Sequence, residues 1–448
     1  MNEERWGIVG GGMLGLSLAL RLVSQGKHVT VLEGASSIGG LAGTWTIGDI
    51  QWDKHYHVTL LSDRALRRLI ADIGLEHQCR WTQTKTGFFD GRRIHPLSDA
   101  LDYLTLPSLT LIEKMRLAAT IVYASKLKDW QALEKIPVIE WLTKLSGERV
   151  VNRLWIPLLK AKLGRNYELA SAAFLWAVIS RLYAARRTGL KKEMFGYVEG
   201  GYRTILERLE ATLTDFGAEV KTSHRVRGAH PLVDGSVEVH CEGRHPMVFD
   251  RVVVTTPCPA VPHICPELTP EEQHILRGVK YQGILCASLL LSRPLSGNYL
   301  TYITDEKVPF TAVVEMSALV DKANLGGNTL VYLPKYVDSE DEAFLLSDEQ
   351  LQHSFWRGLR RLYPELTEAD VVAFEISRVR HVLAIPTLDY SKRVPQMETS
   401  IPNLFLVNSA QIVNGTLNVN ETVGLAFDAA EKLLSLPARE PVRIRARA

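Results

Sequence analysis

At 448 residues, 46% hydrophobic and 23% charged, the chain can bury a core large enough for two domains and is neither disordered nor fibrous. A net charge of +2 excludes the strongly basic surface that nucleic acid demands. The five cysteines, Cys79, Cys241, Cys258, Cys265 and Cys286, form no C-x-x-C pair, which excludes a zinc ribbon or disulfide framework and fits a reducing compartment.

In chain order, residues 5–9 form a short apolar strand that starts too close to the amino terminus to leave room for a signal peptide. The G-x-G-x-x-G glycines follow at once: Gly10 for the tight turn, Gly12 for close approach to a pyrophosphate, Gly15 for packing of the next helix. That helix, residues 13–25, turns its amide-rich start, at Met13 and Leu14, toward the phosphates. A second strand, residues 28–32, ends at Glu33, eighteen positions after Gly15, where a carboxylate takes the ribose hydroxyls and repels a 2′-phosphate. Strand, glycine turn, helix and acid at this spacing predict a dinucleotide site. A second glycine-rich loop, Gly39 to Gly43, has no evident use in an NAD domain.

Glu33 followed by Gly39 and Gly40 resembles the FAD-binding amino terminus of the flavin amine oxidase superfamily. That superfamily includes protoporphyrinogen oxidases, phytoene-type desaturases, monoamine and polyamine oxidases and, more distantly, UDP-galactopyranose mutases. The resemblance implies an α/β fold: a Rossmann-like FAD-binding domain interleaved with a mixed-sheet substrate domain and interrupted by a helical insertion. It adds Gly40, Leu41 and Ala42 to the cofactor contacts. Many members carry arginine directly after the glycine pair; Leu41 stands there, which removes one phosphate or flavin contact and points away from the amine oxidases proper.

Asp53 to His57 is similar to the superfamily segment that lies against the isoalloxazine ring, with Lys54 where a glycine is usual. His55 and His57, two apart, would point the same way on a strand. A flavin- or substrate-facing role, a structural role and a metal site all remain open for them. Residues 63–73 read as an amphipathic helix and residues 86–96 as a hairpin turning at Asp90 and Gly91. From residue 98 to 190 the pattern is helical, punctuated by Pro107, Pro137 and Pro157, as an inserted lid would be; residues 155–164 resemble a protoporphyrinogen-oxidase segment. The apolar helix 169–183, with Arg186, Arg187, Lys191 and Lys192 at its end, fits a buried helix, a membrane-surface helix or an anion site. Charges interrupt every long apolar run, Glu113, Lys114 and Arg116 in one and Arg181 here, so no spanning helix is expected. A cytoplasmic protein, soluble or held peripherally at a membrane, is the expectation.

Gly200 and Gly201 open a helix to about residue 216 and match the superfamily's second glycine pair. Val226 then stands where family members contact adenine through backbone. Val252, Val253 and Val254 form a buried parallel strand. Strands at 283–292, 299–303, 311–315 and 329–333 predict the mixed sheet over the active site, and residues 348–363 a helix. The chain returns with a strand at 403–408, a loop, and a helix at 421–434. This resembles the C-terminal flavin motif and implies Asn408, Thr422 and Val423 as contacts, with Asn408 and Ser409 in place of the common Gly-Asp. Divided so, residues 1–85, 196–265 and 396–436 build the FAD-binding part, 86–195 the insertion, 266–395 the substrate sheet and 437–448 a disordered tail.

With a single G-x-G-x-x-G at a strand-to-helix turn, electrons are expected from the substrate and not from NADPH. The expected activity is an FAD-dependent oxidase or desaturase-like dehydrogenase acting on a small molecule, with His55, His57, Lys335 and Tyr390 as site residues. Lys335 rests on superfamily oxidases that hold a lysine near flavin N5. The rivals are a mutase resembling UDP-galactopyranose mutase and a catalytically idle flavin-binding scaffold. No metal is expected, and neither substrate nor oligomeric state follows from these residues.

Overall fold

Strand Arg5–Val9 pairs in parallel with His28–Leu32 on one side and Arg251–Val254 on the other. Glu219–Lys221 and Leu404–Leu406 complete the five-stranded sheet at its two edges, also in parallel. The computed structural model describes residues 4–98, 109–186, 194–413 and 415–437. A wholly parallel sheet has to be covered on both faces, and alternation along the strands decides what covers each. Ile8, Val31 and Val253 face the glycine helix Met13–Val23, which lies with helices Tyr202–Asp215 and Val419–Ser435 in one apolar core. Val9, Leu32, Val252 and Val254 face the other way, onto the antiparallel sheet Val226–Pro231, Val237–Cys241 and Met247–Phe249.

A second, seven-stranded sheet runs in the order Val371–Ala384, Tyr281–Leu291, Thr329–Asp338, Ala312–Glu315, Leu300–Ile303, Thr86–Phe89, Ile94–Pro96. All its pairings are antiparallel except Leu300–Ile303 with Thr86–Phe89. One face packs under helix Asp348–Leu362; the other turns toward Ile47, Trp52 and Tyr56. This is the expected mixed sheet, with two differences. Strand Val371–Ala384 is absent from the sequence expectation, because Glu375, Arg378 and Arg380 break the apolar alternation of an edge strand whose outer side meets water. Thr329–Asp338 outruns its expected end at residue 333 because its second half pairs with Gln282 to Cys286. The helix expected at 421–434 begins earlier, at Val419, under an Asn418 cap.

Between the first and second visits to the parallel sheet stands a helical insertion: Leu111–Lys126, Trp130–Leu133, Val138–Ser146, Ile156–Leu163 and Ala172–Arg186. It has its own core around Leu142, Leu154, Leu163 and Phe174. The helix ending at Arg186 buries Ala172, Phe174, Leu175 and Ile179, so over this stretch the buried-helix reading holds. Arg187, Lys191 and Lys192 lie outside the described residues, as does the tail from residue 438.

Buried Arg251 ties the parallel sheet to its flanks. Its guanidinium lies 2.8 Å from the Glu4 carboxylate, stacks 5.1 Å from the Trp6 ring, and donates to the Leu433 carbonyl on the last helix and the Pro437 carbonyl just past its end. Removing one partner of a buried pair strands the other. Arg251→Met is therefore expected to lower unfolding free energy by about 3 kcal/mol, read as a fall in the urea midpoint at constant slope.

Candidate functional site

The carboxyl ends of the five parallel strands converge on two glycine loops that touch. Gly12 and Gly39 form a parallel bridge, and the Gly39 amide donates to the Gly11 carbonyl at 2.8 Å. A Cβ on Gly40 would stand 3.2 Å from the Gly12 Cα, and one on Gly15 would stand 2.0 Å from the Gly10 oxygen. Gly10, Gly39 and Gly40 have φ of +114°, +110° and +57°, a backbone region glycine enters freely. The first loop caps helix Met13–Val23 through Gly12, without a side-chain cap, and the first intrahelical bond runs from the Leu16 amide to the Gly12 carbonyl. The amides of Met13, Leu14 and Gly15 precede any helical acceptor and point outward with the positive end of the helix dipole.

Glu33 closes this cradle. Its carboxylate accepts from the amides of Gly11 and Ala35, both at 2.7 Å. Residues 223–226 run beside it: the Ser223 amide donates to the Ala35 carbonyl and the His224 amide to the Glu33 carbonyl. Val226 follows at the start of its strand, buried against the core that holds Val9 and Leu32. At the far end of the sheet Asn408 is fully buried. Its Oδ1 accepts from the Ala410 amide and the Cys258 thiol, while its Nδ2 has no hydrogen-bond partner among the described residues. In the last helix the Thr422 amide already donates to the Asn418 carbonyl and the Val423 side chain is in the core. The amides that remain for a ligand by position are those of Val419 and Asn420. Glycine cradle, uncapped helix start, ribose-ready carboxylate and orphaned Asn408 amide together fit a bound dinucleotide.

The second loop reaches the histidine segment through backbone. The Leu41 carbonyl accepts from His55 Nδ1 at 3.1 Å, and the Ser377 hydroxyl lies 3.0 Å from His55 Nε2. A carbonyl only accepts, so the ring carries its proton on Nδ1 and takes the serine's at Nε2. Burial depresses the His55 pKa, which keeps the imidazole neutral. Lys54 sits at an ordinary backbone conformation, its amide donating to the Gly43 carbonyl, so no glycine is required there.

His57 does not share His55's direction, because the segment is not a strand. Its ring lies 4.8 Å from Tyr202, and Nδ1 stands 4.0 Å from Asp53 Oδ2, too far for a hydrogen bond. A cavity of about 10 Å³, room for one water, is lined by Trp52, Asp53, His57 and Tyr202. Burial pushes Asp53 up to about 8 and His57 down to about 3, so the proton belongs to the carboxyl and the pair is uncharged near neutrality. Asp53 Oδ1 accepts from the Tyr202 amide at 2.9 Å, and the Tyr332 hydroxyl donates to the Asp53 carbonyl at 2.6 Å.

Tyr56, between the histidines, begins a chain that the sequence did not reveal. Its hydroxyl is 2.9 Å from that of Tyr336, to which the Lys162 ammonium donates at 2.8 Å. Burial raises the Tyr336 pKa to about 12. Strand alternation puts Tyr332 and Tyr336 on the face toward Tyr56, and puts Lys335, with Leu333 and Val337, on the opposite face under helix Asp348–Leu362. Lys335 is thus not brought to the histidines. Neither is Tyr390, whose buried hydroxyl donates to the Ala410 carbonyl at 2.8 Å in the core behind Asn408.

Residues 14–433 match the family of flavin containing amine oxidoreductases. The chain belongs to that family and is an FAD-dependent oxidoreductase acting on a small molecule. It is 21% identical to a zeta-carotene desaturase of Synechocystis sp., over 90% of this chain and 92% of the relative. It is 23% identical to a hydroxysqualene dehydroxylase of Zymomonas mobilis, again over 90% and 92%. Its fold superposes on a candidate protoporphyrinogen oxidase of Exiguobacterium sp. 255-15 with a TM-score of 0.76 at 21% identity, covering 97% of this chain and 99% of that one. No helix among the described residues is long and apolar enough to cross a membrane.

Glu33→Ala is expected to weaken FAD binding by about tenfold to a hundredfold, the worth of about 1.5–3 kcal/mol for a hydrogen bond to a charged group. Titration of the apoprotein with FAD measures it. The Asp53–His57 pair sets a pH dependence whose sign follows from linkage. Above 6.5 the histidine is neutral folded and unfolded, while Asp53 keeps a folded-state proton up to about 8 that the unfolded chain has already lost. Stability therefore falls as pH rises through this window, by about 2 kcal/mol. Asp53→Asn should abolish the fall, and equal slopes in urea midpoint against pH for both proteins would contradict it.

Proposed function

We propose that the protein dehydrogenates a lipophilic, unsaturated small molecule at carbon. One observation carries this reading: the sheet face that packs against the histidine segment is apolar and aromatic, with Ile284, Tyr299, Tyr332, Tyr336 and Val379 beside the segment's own Tyr56. The titratable groups of the segment, His55, His57 and Asp53, are uncharged at neutral pH, and the charge lying against this face is the cationic Lys162 on Tyr336. A wall of this kind desolvates a hydrocarbon at little cost and offers an alkylammonium no ionised carboxylate. The names of the two relatives, a carotene desaturase and a dehydroxylase of hydroxysqualene, support the same substrate class.

Bound FAD supplies the two-electron acceptor. The chain's own residues hold, orient and keep dry. The Met13, Leu14 and Gly15 amides and Glu33 hold the nucleotide half. His55, clamped between the Leu41 carbonyl and Ser377, fixes the second glycine loop against the sheet that bears the substrate wall. Tyr56, between the two histidines in sequence, ends the chain from Lys162 through Tyr336 and is an oriented hydroxyl suited to contact a substrate or relay a proton. A lipophilic substrate partitions into bilayers, so peripheral contact with a membrane is part of this reading.

The visible spectrum of the purified protein, followed by anaerobic mixing with three probes, tests it. A detergent-dispersed acyclic polyene is expected to bleach the flavin absorbance. Bleaching by putrescine alone, or turnover of UDP-galactopyranose only after dithionite reduction, would overturn the reading.

A further inference from the structure

Thirteen large hydrophobic side chains are exposed among the described residues, and five belong to one helix of the insertion: Leu111, Ile112, Met115, Val122 and Tyr123. Their exposure is not marginal: Leu111 is 69%, Ile112 70% and Met115 64% accessible. At 3.6 residues per turn Leu111, Met115 and Val122 form one stripe, with Ile112 and Tyr123 beside it. Scattered exposed apolar residues need no explanation, whereas a contiguous face of them marks a contact.

The rotation of this helix is fixed from behind. Leu117, Thr120 and Ala124 are buried; the Thr120 hydroxyl lies 2.9 Å from that of Ser146, which also accepts from the Trp155 indole at 3.1 Å. Thr110 and Glu113 form a capping box, and the Glu113 carboxylate turns inward to Arg149 at 3.2 Å. The apolar stripe consequently cannot roll into the core without breaking buried polar contacts. The same anchoring removes the helix's one carboxylate from the outer face. The charges left on or beside it are the half-buried Lys114, the exposed Arg116, Lys126 and Lys128, and one carboxylate, Asp129, which caps the next helix through the Ala132 amide, so cations prevail.

The geometry points to helix Leu111–Lys126 as the surface by which the protein docks, lying flat, on a bilayer of anionic phospholipid. The inference takes up the peripheral contact named above but is argued from the exposed face of this helix and not from the chemistry of the substrate. A helix of 16 residues is about 24 Å long, enough to lie in the headgroup layer with its apolar stripe in the acyl boundary. Charge selects the occupant. Two copies meeting through this face would bring cation against cation, whereas an anionic headgroup plane complements it.

Sedimentation of the full-length, flavin-loaded protein with vesicles of phosphatidylcholine, with and without phosphatidylglycerol, tests the proposal. Wild type is expected to sediment with the anionic vesicles, less with neutral ones, and less again at raised salt. The pair Met115→Glu and Val122→Glu should cut partitioning by at least about tenfold, whereas Leu345→Glu, an exposed leucine elsewhere, should leave it unchanged. Unaltered flavin absorbance in the variant shows that the fold is intact. The docking surface is overturned if wild type stays in the supernatant, if the double variant sediments like wild type, or if light scattering finds a dimer that the double variant dissolves. Sedimentation without polyene oxidation would sink the substrate reading and leave the docking surface standing.

Discussion

The structure depends on the close approach of two backbone loops, Gly10 to Gly15 and Gly39 to Gly43. A Cβ on Gly40 would press to 3.2 Å on the Gly12 Cα, at a backbone φ of +57° that glycine adopts most freely. Everything downstream is positioned from it. The second loop presents the Leu41 carbonyl to His55, His55 meets Ser377 on the seven-stranded sheet, and that sheet bears Tyr332 and Tyr336, packed toward Tyr56. One imidazole, uncharged and bonded at both nitrogens, thereby links the second glycine loop to the seven-stranded sheet. A neutral ring is well suited to such a position, since buried charge would require a counterion, and none of the groups around it is one.

What could be read from the chain beforehand were the features whose geometry only certain residues satisfy. Turns at φ near +110° and a helix start open to phosphate demand glycine, and a ribose contact demands a carboxylate at the end of the second strand; Gly10, Gly12, Gly15 and Glu33 therefore announced themselves. The order of elements was legible for the same reason, since a strand with Val252, Val253 and Val254 in succession fits only a doubly covered sheet. The chain Lys162–Tyr336–Tyr56 was not legible, because its members come from an insertion, a sheet and a loop and meet only in the fold. A weak signal was present. Tyr332 and Tyr336 are four apart on one strand and so share a face, which by parity sends Lys335 to the other. Ending that strand at residue 333 hid the parity. Tyr390 carried no positional signal at all, and only its buried bond to Ala410 shows it to be part of the core.

The two departures from the family pattern are resolved differently by physics. Leu41 lacks a guanidinium, yet its carbonyl still holds His55 in place, and a carbonyl is indifferent to the side chain it follows. Asn408 and Ser409 stand where Gly-Asp is common, so the acid is lost at Ser409, while the buried Asn408 Nδ2 meets no acceptor among the described residues. Such a donor is costly unless another oxygen meets it.

The parallel sheet takes Arg251–Val254 as the neighbour of Arg5–Val9 and then Leu404–Leu406 as the neighbour of Arg251–Val254. Strands adjacent in space are thus more than two hundred residues apart in some pairs, and the sheet's edge arrives only near the carboxyl terminus. During synthesis the first glycine loop exists hundreds of residues before the helix that completes its pocket. The cofactor site is accordingly among the last features the chain can finish, and its loops wait, with apolar strands unpaired, through most of translation. A chain cut short before Leu404–Leu406 would lack the sheet's last strand, and one cut before Val419–Ser435 would leave one face of the finished sheet partly uncovered.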